Sequence, residues 1–227
     1  MSEASPVAPT LRYSEAVFLA RYLRTLVEWD ARACVRIMLR GNSLGVFGAP
    51  PTGCVTFVAV PVQSDSMSQR ETVDRIVSAG RLRDVLGDLS SPVDSRSLTI
   101  PEAVVGTGEL ALLPPFGGWE LVARDSAQSA QHVVDEAIAR FRDEVPDNGA
   151  DRTQAQRFAD QVWSNDAWHH VPVRALHTAY ALGFLAKSDA VVNVARQPGW
   201  TRVATAAGQV FVADGAANLS ASLALFT

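Results

Sequence analysis

Residues 33–62 read ACVRIMLRGNSLGVFGAPPTGCVTFVAVPV, and they carry the strongest strand signal in the sequence. Three β-like runs lie within it: Ala33–Arg40, Ser43–Phe47 and Cys54–Val62. Gly41-Asn42 separates the first two runs, and a loop rich in glycine and proline separates the second from the third. The third run is apolar at nearly every position, which predicts a strand covered on both faces. The stretch therefore predicts a sheet built from neighbours in the chain.

Helical periodicity flanks this sheet on both sides. Apolar residues recur at helical spacing over 14–29, with Ser14 as the expected N-cap. Downstream, the patterns predict a strand at 72–77, a short helix around Leu82–Leu89, strands at 97–100 and 119–124, and a helix to Glu144 capped by Asp125 or Ser126. This order predicts an α+β fold, with an N-terminal helix-on-mixed-sheet domain in which helices cover a largely antiparallel sheet.

Turn residues at 146–150 mark the expected domain boundary. We expect a disordered lead-in at 1–12, an α+β domain at 13–145, a linker at 146–150 and a small helical domain ending in a β-meander at 151–227. The last domain has helices at 151–164 and from Pro172, and strands at 191–196, 200–205 and 210–213. Leu219, Leu223 and Phe226 follow at helical spacing, which predicts a terminal helix that docks on this protein or on a twin in a homodimer.

Composition excludes several classes of protein. The 227 residues carry twenty basic and twenty-four acidic side chains, a formal charge of −4, and 48% are hydrophobic. A basic nucleic-acid coat, an acidic disordered tail and a low-complexity fibre all need other compositions. Residues 1–150 carry a charge of −5 and residues 151–227 a charge of +1, which permits a weak phosphate-facing surface in the second part.

The sequence also predicts where the protein is located in the cell and the redox state of its two cysteines. The N-terminus lacks a basic start and an apolar core, so no secretory signal is expected. The apolar runs are far shorter than a membrane span, so we expect a cytoplasmic protein with no membrane partner. Cys34 and Cys54 are expected to be buried reduced thiols, with a disulfide as the alternative if their strands pair.

Two motifs match functional patterns, but the residues that follow them exclude those functions. Gly41-Asn42-Ser43-Leu44-Gly45 matches the G-x-S-x-G pattern of a nucleophilic serine, but the following prolines exclude the helix which that site requires. A glycine-rich hairpin turn is the interpretation we favour. The glycine spacing of Gly48–Gly53 is that of a phosphate loop, but Cys54-Val55 stands where Lys-Ser/Thr is needed. The four histidines show no metal-binding spacing, so neither cofactor nor metal is predicted.

The order helix, helix and meander, with Leu182-Gly183-Phe184-Leu185 at the helix exit, resembles the winged-helix module over residues 151–214. The resemblance implies a helix that meets DNA through Arg174, His177 and Tyr180, and a wing that contributes Arg196 and Arg202. Separately, Phe116 and Trp119 lie in a loop rich in proline and glycine that could line a pocket or a groove for a protein partner.

A second resemblance concerns the strands that precede Val77–Leu86, together with that segment itself. This arrangement resembles a half-repeat of a DNA sliding clamp, and we carry no functional residue over from it.

These observations predict a non-enzymatic binding or regulatory protein that acts through protein contacts, as a homo-oligomer or with another protein, and through weak DNA binding. The alternative is a small-molecule-binding protein or an unrecognised enzyme with a pocket between its two domains, because residues distant in sequence can assemble a site.

Overall fold

The structure, a computed structural model, describes residues 9–63, 72–87, 94–104, 108, 110–144, 152–166 and 168–214. Its internal contacts divide the chain into two compact units. Unit 1 comprises Met1–Pro51 and Val55–Leu113, and unit 2 comprises Thr52–Cys54 and Pro114–Thr227. The linker expected at 146–150 and the terminal helix expected around Leu219–Phe226 lie outside the described residues.

Unit 1 places two helices beside an antiparallel sheet. Its elements are β1 (Thr10–Arg12), α1 (Tyr13–Trp29), β2 (Cys34–Arg40), β3 (Ser43–Gly48), β4 (Val55–Pro61), β5 (Val73–Ser78), α2 (Ala79–Val85) and β6 (Ser95–Ser97). Within the unit the sheet order is β5-β2-β3-β4, and β1 pairs with β6. The helices and strands expected from 14 to 78 are therefore confirmed, whereas β1 was not anticipated.

The core of unit 1 lies between α1 and one face of this sheet. Leu19, Leu23 and Leu26 form the buried stripe of α1, at the three- and four-residue spacing of a helix face. Tyr22 on the same helix forms a buried hydrogen bond of 2.7 Å with Thr56 of β4, and burial raises the pKa of this tyrosine. The expected cap is wrong: Arg12 precedes the helix and makes no side-chain capping bond.

The β2–β3 hairpin shows which structure the Gly41–Gly45 serine motif adopts. Arg40 pairs with Ser43 across Gly41-Asn42, and Gly41 has a φ of +56°, which suits the first central residue of a type II′ turn. Ser43 therefore begins a strand that no helix follows, and the hairpin interpretation is confirmed.

The outer face of the unit 1 sheet, opposite α1, carries a second small core. Met38 and Phe47 of the sheet pack with Leu110, and the ring of Phe47 lies 4.5 Å from that of Phe57, tilted by 39°. Arg36 binds Asp74 through two hydrogen bonds of 2.7 and 2.9 Å and also donates to the carbonyls of Leu110 and Ala111. A segment after β6 thus covers this face.

Unit 2 contains the elements β7 (Glu120–Ser126), α3 (Ala127–Glu144), α4 (Arg152–Ser164), α5 (Val173–Ala181), β8 (Val191–Gln197), β9 (Trp200–Ala204) and β10 (Gln209–Ala213). The sheet order within the unit is β7-β8-β9-β10, and each of these pairings is antiparallel. The mixed sheet in our expectation is therefore corrected to an antiparallel one. Alternating valines of β8, β9 and β10 are buried on one face, where α5 packs.

In both units, the strand that precedes a helix pairs with a strand that follows a different helix of the same unit. In unit 1, the strand before each helix pairs with the first strand after the other helix, so β1 pairs with β6 and β5 with β2. In unit 2, β7 precedes α3 but pairs with β8, the first strand after α5. Helix α4 follows α3 where unit 1 has a three-stranded meander after α1.

The winged-helix interpretation of residues 151–214 is wrong. The meander β8–β9–β10 is completed by β7, which lies outside that range. Helix α5 packs on α3 as well as on β10, and five of its nine residues are buried. Residues 151–214 therefore share one sheet and one core with the segment before them and do not form a separate module.

Neither Cys34 nor Cys54 forms a disulfide, and Cys34 is half-buried, whereas both thiols were expected to be buried. Cys54 is buried beside Thr178, and burial raises the pKa of its thiol, which keeps it protonated and unreactive. No helix in the described part of the chain is long and apolar enough to cross a membrane.

Candidate functional site

The outer edge of β7 is the candidate interaction site. This strand pairs with β8 on one side, and it is the last strand of its sheet in the described ranges. Leu121 pairs with Ala195 and Ala123 with Val194, so Val122 is the extra residue of a β-bulge. The bulge interrupts the alternation of the strand, and as a result Leu121 and Val122 are both exposed, at 53% and 45%. We call Glu120–Arg124 the β7 edge.

The loop before β7 is anchored by Trp119. Its indole Nε1 donates a hydrogen bond of 2.9 Å to the carbonyl of Pro115. Its ring lies 5.6 Å from the ring of Phe211, and the guanidinium of Arg202 lies over it at 4.8 Å. Phe116, in contrast, is 67% exposed. Of the two loop residues selected from the sequence, Trp119 holds the loop on the sheet, and Phe116 offers apolar surface beside the β7 edge.

The three candidate DNA contacts on α5 have different surroundings. His177 packs at 4.8 Å on Trp163 of α4, and burial lowers the pKa of its imidazole. Arg174 is half-buried, and its Nε is buried without a hydrogen-bond partner among the described residues. Tyr180 is exposed at 41%. Since α5 packs between α3, α4 and the sheet, it offers a narrow strip of surface.

The two arginines expected on a wing lie on opposite faces of the sheet. Arg196 extends to the helix side, where its Nη2 donates to the carbonyls of His169 and His170 at 3.1 and 3.3 Å. Arg202 lies opposite Phe211 in the strand register and faces the other side, against Trp119. Burial lowers the pKa of Arg202. The five residues therefore do not form one continuous surface, and their contact with DNA stays a prediction.

A polar cluster that the sequence did not reveal joins α3 to the turn before α5. His169 and His170 have φ angles of +47° and +55°, the left-handed values of a type I′ turn. His169 Nε2 lies 3.0 Å from Asp125 Oδ2, and this hydrogen bond is the main cause that lowers the pKa of the Asp125 carboxyl. Adjacent histidines between two helical patterns were the available signal, because histidine tolerates this conformation better than most residues.

This cluster contains serine, histidine and aspartate but lacks the order of a catalytic triad. The hydroxyl of Ser129 donates to Asp125 Oδ2 at 3.1 Å and accepts from Trp168 Nε1 at 3.0 Å. The proton of the serine is thus directed to the carboxylate, whereas a triad requires the histidine to accept it. The hydrogen bonds fix a strained turn, and an open polar groove of about 570 Å³ along the start of α3 lies beside it.

We compared the chain with protein-family models and with curated proteins. A family model described as "Domain of unknown function (DUF8185)" matches residues 114–217, nearly all of the described part of unit 2. No curated protein matches the chain.

Solved structures match both units. A DNA polymerase sliding clamp from Pseudomonas aeruginosa is 11% identical, with a TM-score of 0.56 over 91% of this chain and 64% of that chain. A β sliding clamp from Caulobacter crescentus gives the same score at 11% identity, over 92% and 65%. The chain has the fold of these sliding clamps. It spans about two thirds of their length, as the 64% and 65% coverage shows.

This similarity confirms, as a statement about fold, the resemblance of Val77–Leu86 and its preceding strands to a clamp half-repeat, because those residues form β5 and α2. It also overturns the winged-helix interpretation and does not favour the alternative of a small-molecule-binding protein or enzyme. At 11% identity the clamps show architecture alone.

Proposed function

We propose that this protein is a non-enzymatic, clamp-like binding protein that works as an assembly of copies of its own chain, formed through the β7 edge. The observation that carries the proposal is the exposure of Leu121 and Val122 on a strand with an open edge. An unpaired edge presents backbone N–H and C=O groups that a second strand can satisfy. Apolar side chains on that edge supply burial when the second strand arrives.

A second copy of the chain is the partner that we propose. The bulge at Val122 and the charged side chains of Glu120 and Arg124 discourage pairing with arbitrary strands. Two β7 strands meeting about a two-fold axis would each meet an identical bulge, and isologous dimers are the commonest assemblies of soluble proteins. The similarity to sliding clamps supports a role in protein assembly, and those proteins are sliding clamps of DNA polymerase and β subunits of DNA polymerase III.

Direct contact with duplex DNA is not part of the role that we propose. Unit 1 carries eleven basic and twelve acidic residues, a formal charge of −1, and unit 2 carries nine and twelve, a charge of −3. With the division at Leu113, the positive balance expected for the second part becomes negative. We expect fluorescence anisotropy to show no binding to random duplex DNA even at low salt, where the electrostatic attraction is largest.

Cysteine cross-linking tests the proposed interface. In a two-fold assembly through β7, Val122→Cys brings two thiols together, and mild oxidation yields a covalent dimer. Val17→Cys is the matched control, because Val17 on α1 is similarly exposed, at 39%, and lies in the other unit. Dimer formation by Val122→Cys alone supports the proposal. Equal yields from both variants, or no dimer from either, contradict it.

A further inference from the structure

The sheet face of unit 2 that is opposite its helices has an unusual composition. We call this the outer face of unit 2 and define it by Trp119, Gln197, Trp200, Arg202 and Phe211. The register places Phe211 opposite Arg202 and Trp200 opposite Gln197, so these side chains share one side of the sheet. Phe211 is buried beneath Trp119, whereas both tryptophans are half-buried.

Two polar atoms on this face lack partners. The Nε of Arg202 and the Oε1 of Gln197 are buried, and neither forms a hydrogen bond within the described part of the chain. Buried polar groups in folded proteins are nearly always paired, so each such atom calls for a missing neighbour. One is a donor and the other an acceptor, the pair of groups that an additional stretch of backbone can satisfy.

Unit 1 shows what covers the equivalent face. There the segment after β6 lies on the sheet, with Leu110 buried against Met38 and Phe47. Arg36, which projects from the middle of that sheet, donates to the carbonyls of Leu110 and Ala111. In unit 2, Arg202 projects from the middle of the sheet in the same manner, but no described segment supplies carbonyls to its Nε.

We propose that residues 215–227 of the same chain pack on the outer face of unit 2, as the segment after β6 packs on unit 1. The thirteen residues, GAANLSASLALFT, carry no charged side chain and include Leu219, Leu223, Leu225 and Phe226. They follow Asp214, whose N–H donates to the carbonyl of Gly199 beside Trp200. Extended, they reach up to ~43 Å, whereas the four strands of the sheet span roughly 14 Å. The apolar side chains pack on the two tryptophans, and backbone groups meet Arg202 and Gln197.

Fluorine NMR of the full chain labelled with 5-fluorotryptophan tests this docking. Leu223→Asp combined with Phe226→Asp places two charges on the docked side. The signals of Trp119 and Trp200 are expected to shift and to acquire a solvent isotope effect in D₂O, while the other three, from Trp29, Trp163 and Trp168, stay unchanged. Asn218→Asp combined with Ser222→Asp adds the same charge at polar positions, and it is expected to leave all five tryptophan signals in place.

Three results would overturn the proposal. The first is an identical spectrum for the wild type and the variant with Leu223 and Phe226 replaced. The second is a dependence of the Trp200 signal on protein concentration, which would assign the face to the segment of a second copy. The Trp119 signal is left out of this criterion because Trp119 directly precedes the β7 edge. The third is displacement of the Trp119 and Trp200 signals by a single-stranded oligonucleotide, which would assign the face to nucleic acid. Val122 plays no part in this test, so its outcome is independent of the proposed β7 interface.

Discussion

The two units cover their sheets differently. Unit 1 lays a described segment over its outer face, buries Leu110 there, and gives the guanidinium of Arg36 four hydrogen bonds. Unit 2 covers the corresponding face with Trp119 and leaves the Nε of Arg202 without a partner among the described residues. It also ends in the exposed β7 edge, whereas Ile76 on the outer strand β5 of unit 1 accepts a hydrogen bond from Val104.

On its outer face, unit 1 pairs its own polar groups, whereas unit 2 leaves polar groups and apolar side chains available to another segment. The closed face of unit 1 should contribute chiefly to stability, because its side chains and backbone groups find partners within the unit. The open edge and outer face of unit 2 leave apolar and polar groups for another segment. Three pairs of substitutions measure whether the contrast holds.

The largest expected effect comes from the aromatic side chains of the two outer faces. Phe47→Ala removes a buried ring that packs against Phe57 and should lower the free energy of unfolding by about 3–5 kcal/mol. Trp119→Ala removes a half-buried ring and should cost about 1–2 kcal/mol. Urea unfolding followed by circular dichroism measures both. Equal losses would remove the distinction between the faces.

The arginines of the two faces give the next effect. Arg36→Ala deletes the bidentate bond to Asp74 and the bonds to two carbonyls, and it should cost about 1–2 kcal/mol after allowance for partial exposure. Arg202→Ala deletes the contact with the Trp119 ring and the one proposed with residues 215–227, and it should cost no more than about 1 kcal/mol. The same unfolding measurement applies, and a larger loss at Arg202 than at Arg36 would contradict the contrast between the two faces.

The sequence predicted the individual helices and strands well, but it did not predict which distant strands pair with each other. Helix α1 follows from its apolar stripe, and the β2–β3 hairpin from Gly41-Asn42. The pairing of β5 with β2 and of β7 with β8 joins strands far apart in the chain, such as Val77 with Val35 and Val191 with Ser126. No local pattern encodes such pairing, and without it the half-repeats of this fold stay hidden.

Sequence analysis found only part of the candidate site, because the rest of it also depends on the pairing of distant strands. Phe116 and Trp119 are visible in the sequence because proline and glycine mark an ordered loop. The exposure of Val122 depends on a bulge that is defined only relative to β8. Arg202 was selected as a wing residue, and its actual neighbour, Trp119, is brought to it by the sheet.

The pH dependence of stability tests the polar cluster of unit 2. The hydrogen bond from His169 holds the pKa of Asp125 below its usual range. A carboxyl with a lowered folded pKa stabilises the protein above its unfolded pKa of about 3.9, and this contribution is lost as pH falls through the folded value. Asp125→Asn should therefore cost about 0.5–1 kcal/mol at pH 7, and this cost should shrink as the pH falls through the folded pKa of Asp125. Urea unfolding at neutral and at acidic pH measures it, and a difference independent of pH would contradict the assignment.

The smallest effect is expected at the two left-handed histidines. His170→Gly should change stability by no more than about 0.5 kcal/mol, because relief of the positive φ offsets the entropy that glycine adds to the unfolded chain. His169→Gly loses the bond to Asp125 as well and should be the less stable variant. Thermal melts of the two variants compare them directly. The reverse order would show that Asp125 does not hold the turn.

Static light scattering over a range of concentrations tests the central claim, self-association through the β7 edge of unit 2, most directly. The chain has a mass of 24.3 kDa. We predict a wild-type particle of twice that mass, and a particle of one chain mass for Val122→Glu, because a charge buried in the interface opposes pairing. Val17→Glu, on the exposed surface of unit 1, should retain the wild-type mass. A wild-type particle of 24.3 kDa at every concentration would contradict the account.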